Sequence, residues 1–214
     1  MSAARVKLRR TYMSSESQAR STRRYEQRKR AESQAQTRQR ITEAAIELHG
    51  TIGPSRTTIS AIAERAGVRR QTVYSHFPDE RTLFQACSGM FGAANPPPDP
   101  TLWSAIEDPQ HRMEVALDAL YGWYERVGHM LANVLRDAQS MPILREIGAP
   151  RVAYLARLED ELARGSGARG RRARTRRAAV ALALDFTTWH ALHTRGLERA
   201  EAIRLMVNLV QSGA

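Results

Sequence analysis

Apolar side chains recur at helical spacing through the first third of the chain. Ile41, Ala44, Ala45 and Leu48 fall at i, i+3, i+4 and i+7, the buried face of a helix expected from Thr37 onward. Gly50 and the Gly53-Pro54 pair end it. Ile59, Ile62, Ala63 and Ala66 mark a second inward face, opened by Thr58 as N-cap. Gly67 makes a corner, and Val68 plugs the angle behind it. A third helix over about residues 70–76 is two turns long, roughly 10 Å. It stops at Phe77-Pro78, because proline disfavours helix at the residue before it. Asp79 caps a fourth helix that runs through Leu83, Phe84 and Cys87 to about Phe91.

The proline-rich run at 95–100 (NPPPDP) reads as a stiff spacer, and a module boundary is placed there. Beyond it the helical period returns with Met113, Leu117, Leu120, Tyr124, Val127, Leu131 and Leu135, broken or kinked near Gly128. Pro142 and Pro150 bracket a short segment before a helix carrying Val152, Leu155, Leu158 and Leu162. Residues 164–177 hold seven arginines and no acid and read as a loop. A long helix over about 172–194 and a last one over 198–210, separated at Gly196, complete the pattern. Nothing reads as a strand. The expected fold is all-α, divided into an arm (1–34), a three-helix helix-turn-helix head (35–95) and a helical C-terminal domain (101–214).

Charge sharpens this division. The chain has a formal charge of +11, yet residues 1–33 alone hold ten basic and three acidic side chains. Few of those residues are apolar, so a disordered basic arm is expected, with 21–35 able to extend the next helix. Three readings of the arm stay open. It enters a minor groove beside the head; it supplies sequence-independent counterion release; or it is inert, with Met13 an alternative start. The overall surplus points to a polyanion partner. Cys87 is the one cysteine, so no internal disulfide can form and a reducing cytosol fits. The longest aliphatic run, 178–184, is far too short for a membrane span. The start lacks the apolar segment of a signal peptide. A soluble, cytoplasmic protein with no membrane partner is expected.

The third helix carries the chemistry. Arg69, Arg70, Gln71 and Thr72 stand at its N-terminal end. Arginine forks onto guanine, glutamine onto adenine, and threonine meets phosphate or a thymine methyl. Tyr74 and His76 offer O–H and N–H groups suited to phosphate oxygens. Thr58 adds a hydroxyl and a helix N-terminus for another phosphate.

The stretch from about Gln34 to Phe91 resembles the DNA-binding head of the TetR (tetracycline-repressor-like) family of transcriptional regulators. The resemblance rests on 41–45, Thr57-Thr58, Ile62-Ala63, Ala66-Gly67-Val68, Thr72-Val73-Tyr74, His76-Phe77-Pro78 and Leu83, taken together. It implies a third helix in the DNA major groove, with Tyr74 and His76 on the backbone. It also implies a homodimer and C-terminal helices that form a ligand pocket and a dimer face. Two positions depart from the family pattern. Arg69 stands where a serine N-cap is common, and Glu80 stands where a phosphate-binding lysine is common. Arg81 or the basic arm is the expected substitute for that lysine.

The same resemblance places a pocket for a mostly apolar small-molecule effector among Met113, Leu117, Leu120, Tyr121, Tyr124, Met130, Leu131 and Tyr154. Small residues in 179–189, with Leu182, Phe186 and Trp189, and the apolar positions Ile203, Met206 and Val210 read as a two-fold seam. His190 and His193 are three apart on a helix, but no third ligand lies nearby, and no metal or cofactor is expected. No phosphate loop, nucleophile elbow or acid–base pair marks an enzyme. The expected function is a ligand-responsive repressor that binds an inverted-repeat operator in double-stranded DNA. The alternative is a sequence-tolerant, nucleoid-type DNA-binding protein without an effector.

Overall fold

The computed structural model describes the backbone of residues 3–164 and 169–212, and the side chains of residues 22–164 and 169–212. All regular structure among the described residues is helical: α1 (Ala3–Thr51), α2 (Ile59–Ala66), α3 (Arg70–His76), α4 (Glu80–Ala94), α5 (Pro109–Asp137), α6 (Pro142–Ile147), α7 (Ala149–Ala163), α8 (Gly170–Leu184), α9 (Phe186–His193) and α10 (Arg199–Ser212). Two single turns of 3-10 helix, at Pro54–Arg56 and Pro100–Leu102, fill connections.

Two apolar clusters organise the chain. Ile41, Ala45, Ile62, Val73, Phe77 and Leu83 centre the core of the head, α1 to α4. A larger cluster in α5 to α10 is built around Trp103, Leu117, Leu120, Tyr121, Tyr124, Leu158, Leu184 and Phe186. The expected boundary at 95–100 is blurred. Cys87 belongs to the head core, whereas Phe91, one turn further along α4, packs on the body. The spacer itself is tied down: Tyr154 Oη donates to the Pro98 carbonyl at 2.9 Å and Trp123 Nε1 to the Asn95 carbonyl at 3.1 Å.

Several expectations are corrected. The stretch expected as a disordered arm is helical from Ala3, continuous with the helix that enters the core. Its composition is polar, but no glycine or proline occurs before Gly50, and Ala, Arg, Gln and Glu are good helix formers. From residue 22 to 36 its side chains are exposed, so local propensity and pairs such as Arg28–Glu32 (2.9 Å) carry it rather than packing. The break expected near Gly128 is absent. Glycine there makes room for the Trp189 ring, which a Cβ would approach to 3.1 Å. Of the expected 164–177 loop, α8 already begins at Gly170, with Arg177 pairing Glu159 and Asp160 of α7, each at 2.5 Å. Residues 165–168 lie outside the described residues. The long helix expected over 172–194 breaks at Asp185, which caps α9 by accepting from the Thr187 and Thr188 amides at 2.8 and 3.3 Å. Among the described residues, no helix is long and apolar enough to cross a membrane.

Candidate nucleic-acid interface and the cavity behind it

The turn between α2 and α3 forms for local reasons. Thr58 Oγ1 accepts from the Ala61 amide at 3.1 Å and starts α2. Gly67 sits in the left-handed region (φ 64, ψ 40), where a Cβ is costly, and turns the chain. Arg69 stands at the N-cap of α3 with no side-chain cap bond, as the missing serine implied. In α3, Val73 is fully buried while Arg70, Gln71, Tyr74 and Ser75 are exposed and Thr72 and His76 are half-buried. Arg69 is exposed just before it, and Thr58 lies exposed at the start of α2. The apolar anchor thus fixes the helix by one side and presents Arg69, Arg70, Gln71 and Tyr74 to solvent. Tyr74 is 49% exposed, so it does not pack on α1.

Sequence reasoning missed Arg38. Its Nη1 donates to the His76 carbonyl at 2.5 Å, and its guanidinium lies 4.0 Å from the Phe77 ring centroid. One side chain of α1 therefore satisfies an end carbonyl of α3 and stacks on the residue that stops it. No local pattern could have signalled a contact across 38 residues. Glu80, exposed in the first turn of α4, follows the Asp79 cap, which accepts from the Thr82 amide at 2.7 Å. A carboxylate suits a helix N-terminus. Arg81 is corrected: its Nη1 pairs with Glu146 of α6 at 2.8 Å. One residue further round the helix than Glu80, it faces the body, and its guanidinium is committed there.

The joint between head and body is polar and well satisfied. Asn133 Nδ2 donates to the carbonyls of His49 and Gly50 at 3.2 and 2.8 Å, holding the end of α1. The Ser55 amide donates to Asp137 Oδ2 at 2.9 Å, and Arg136 Nε to Asp137 Oδ1 at 2.8 Å. Burial opposes ionisation of Asp137, but Arg136 and the Ser55 amide outweigh it and hold the carboxyl below its ordinary range. Gly53 has φ 94, and a Cβ there would strike the Arg136 guanidinium and the Asp137 carboxylate.

Beside this joint lies an apolar cavity of about 220 Å³, walled by α1 and α4 on one side and α5, α6 and α7 on the other. Only Met130 and Leu131 of the eight expected pocket residues line it. Met113, Leu117, Leu120, Tyr121 and Tyr124 are packed in the body core, at most 3% exposed. The two tyrosine hydroxyls are spent on carbonyls at the end of α8: Tyr121 on Ala183 at 2.9 Å and Tyr124 on Leu184 at 2.7 Å. Tyr154 faces Pro98 instead. The residues of the expected dimer face fall in two groups. Phe186, Trp189, Ile203, Met206 and Val210 are buried within the chain, at most 8% exposed, and only Leu182 of that set is open, at 54%. Leu205 (46%) and Leu209 (40%) of α10 are also open.

The α2–turn–α3 geometry defines a helix-turn-helix protein, with a short outward helix anchored by one buried valine. Comparison with known proteins agrees. The profile of bacterial regulatory proteins, tetR family, matches residues 41–87. The HTH-type transcriptional regulator SrpR of Pseudomonas putida is 44% identical over 59 residues, 28% of this chain and 28% of that protein. The match therefore spans well under half of that relative. NalD, the secondary repressor of the MexAB-OprM multidrug efflux pump in Pseudomonas aeruginosa, shares the fold, with a TM-score of 0.58, 23% identity and coverage of 85% of this chain and 96% of that one. So does the transcriptional regulator FadR of Bacillus subtilis in complex with stearoyl-CoA, with a TM-score of 0.56, 17% identity and coverage of 82% and 98%. Residues 41–87 are thus similar to the DNA-binding head of the tetR family of bacterial regulatory proteins, and the whole chain shares the fold of such regulators.

Proposed function

We propose that this protein is a ligand-responsive repressor that reads an inverted-repeat operator as a homodimer. The observation that carries the reading is α3. Val73 is locked in the core, and Arg69, Arg70, Gln71 and Tyr74 stand together on the solvent side of a rod short enough to enter a major groove. Arg70 and Gln71 read base edges; Thr58, Thr72, Tyr74 and His76 position the head on phosphates. The exposed basic stretch of α1 adds salt-dependent attraction.

Dimerisation uses the outer face of α8 and α10. Leu205 and Leu209 lie one turn apart on α10, a helix that packs on α8, which carries Leu182, and all three leave apolar surface open. A two-fold copy covers that surface and sets the two α3 helices about one turn of DNA apart. Effector binding in the joint favours a state in which the heads are wrongly spaced, a population shift set by differential affinity.

Gel shifts on the DNA upstream of the protein's own gene test the reading. Arg70→Ala is expected to cost about 1–3 kcal/mol and to relax preference at one base position. Tyr74→Phe is expected to weaken all sequences alike. Unchanged binding in both variants removes α3 from recognition. Equal affinity for random and upstream DNA would favour a sequence-tolerant binder instead.

A further inference from the structure

The cavity at the joint carries two polar groups whose needs the chain leaves unmet. Arg151, half-buried in the first turn of α7, lines it, and its guanidinium makes no hydrogen bond or ion pair among the described residues. Neighbouring cations are committed elsewhere: Arg81 to Glu146, Arg136 to Asp137, and Arg145 to the Ala138 carbonyl at 2.5 Å. The imidazole of His49 also lines the cavity, stacked on Phe84 with ring centroids 5.2 Å apart, and has no hydrogen-bond partner among the described residues. Burial pushes its pKa down to about 4, against a smaller upward pull from Asp137, so it is neutral at pH 7 with one donor and one acceptor to offer. Apart from Ser88 the rest of the wall is largely apolar, and it contains no aspartate or glutamate. The Cys87 thiol on the same wall is pushed up to about 12 by burial and is no nucleophile.

We propose that this cavity binds a small amphipathic monoanion, an apolar carboxylic acid whose carboxylate sits on Arg151 and whose body lies between Phe84 and Leu144. A guanidinium at the edge of an apolar cavity is a fork for a carboxylate. An apolar cavity of about 150 Å³ holds benzene, so about 220 Å³ holds an acid of roughly ten heavy atoms. His49 accepts or donates one further hydrogen bond to a ligand oxygen. Since His49 and Phe84 belong to the head and Leu144 and Arg151 to the body, the ligand bridges the two. The inference deepens the ligand-responsive reading above and rests on it for the link to DNA.

Titration calorimetry of the full chain with octanoate, octan-1-ol and octylamine tests it, without DNA present. Octanoate is expected to bind at least tenfold more tightly than octanol, as a charge-assisted pair implies, and octylamine most weakly. In Arg151→Met the difference between octanoate and octanol should vanish, and Arg151→Lys should restore part of it. Leu144→Trp, which fills the cavity, should abolish binding of both. Equal binding of octanoate and octanol by the unmodified chain overturns the inference with no variant needed. So does undiminished octanoate binding in Arg151→Met, or no binding of any of the three probes. Octanoate bound through Arg151 that leaves the operator complex intact would uphold the site and refute the ligand-responsive reading instead.

Discussion

His49 has no charged state available in the folded chain near neutral pH. It is 5% exposed, its ring lies on Phe84, and burial is the largest influence on it, lowering its pKa from the ordinary 6.5 to about 4. Below pH 6.5 the unfolded chain takes up a proton that the folded chain refuses. Folding stability therefore falls as pH drops from about 6.5 and levels off below about 4. Linkage between those two values gives a loss of about 1 kcal/mol at pH 5.5 and roughly 2–3 kcal/mol at pH 4.5. Asp137 acts in a different window. Its folded pKa is depressed, so its contribution is complete above the unfolded carboxylate value and is lost only as pH falls below that.

The variant His49→Phe isolates the effect, because a phenyl ring keeps the stack on Phe84 and cannot titrate. Urea unfolding of both proteins at pH 7.5, 6.5, 5.5 and 4.5, at one fixed protein concentration, yields the difference. The unmodified chain should lose roughly 2–3 kcal/mol more than the variant between pH 7.5 and 4.5. Parallel pH profiles for the two proteins would show that the imidazole is protonated in place, and that the reasoning from burial is wrong.

Other outcomes follow from single features. Gly53→Ala combines a left-handed backbone with a clash against Arg136 and Asp137, and should cost about 2–4 kcal/mol in urea unfolding. Removing residues 1–33, with their ten basic and three acidic side chains, should leave operator preference intact but flatten the dependence of log Kd on log salt, by about 0.9 for each phosphate that the shortened chain no longer neutralises. An unchanged slope would make that stretch of α1 inert toward DNA. Leu205→Glu should turn a dimer into monomers in sedimentation velocity, and Leu182→Glu should do the same, since both add charge to surface now apolar and open.

What could be read from sequence was local. Thr58, Gly67, Val73 and Pro78 act within a few residues of themselves, so cap, corner, anchor and stop were all visible as spacing and residue type. Apolar period also marked the body helices, but period does not say which stripe turns inward. Helix α10 carries two stripes, Ile203, Met206, Val207 and Val210 against Leu205 and Leu209; the first packs inside and the second lies open. The expected dimer face named the first stripe, which is buried within the chain. Tyr121 and Tyr124 looked like pocket aromatics for a similar reason, since their hydroxyl partners lie 62 and 60 residues away on α8. The arm shows two rules in conflict. Low apolar content argued for disorder, while an uninterrupted run of helix formers without glycine or proline favoured continuing α1.

The long-range contacts that sequence hid are also the ones that connect reading to response. Arg38 binds α1 to the end of α3, so a shift of α1 moves the reading helix with it. Asn133 holds the other end of α1, and Asp137 holds the turn that follows, both from α5. Arg81 pins α4 to α6 through Glu146. The head is therefore gripped by polar side chains as well as by Phe91, which packs on the body. A hydrogen-bonded joint of this kind has alternative pairings of similar energy, whereas a packed core resists small displacements. On the proposed reading, filling the cavity would press on α1 and α4 together, and Arg38 with the shared head core would carry the change to α3. Loss of Arg38 by substitution to Met should accordingly loosen the coupling between ligand and DNA more than it weakens either binding event measured alone, a pattern that a double-mutant cycle with Arg151→Met would resolve.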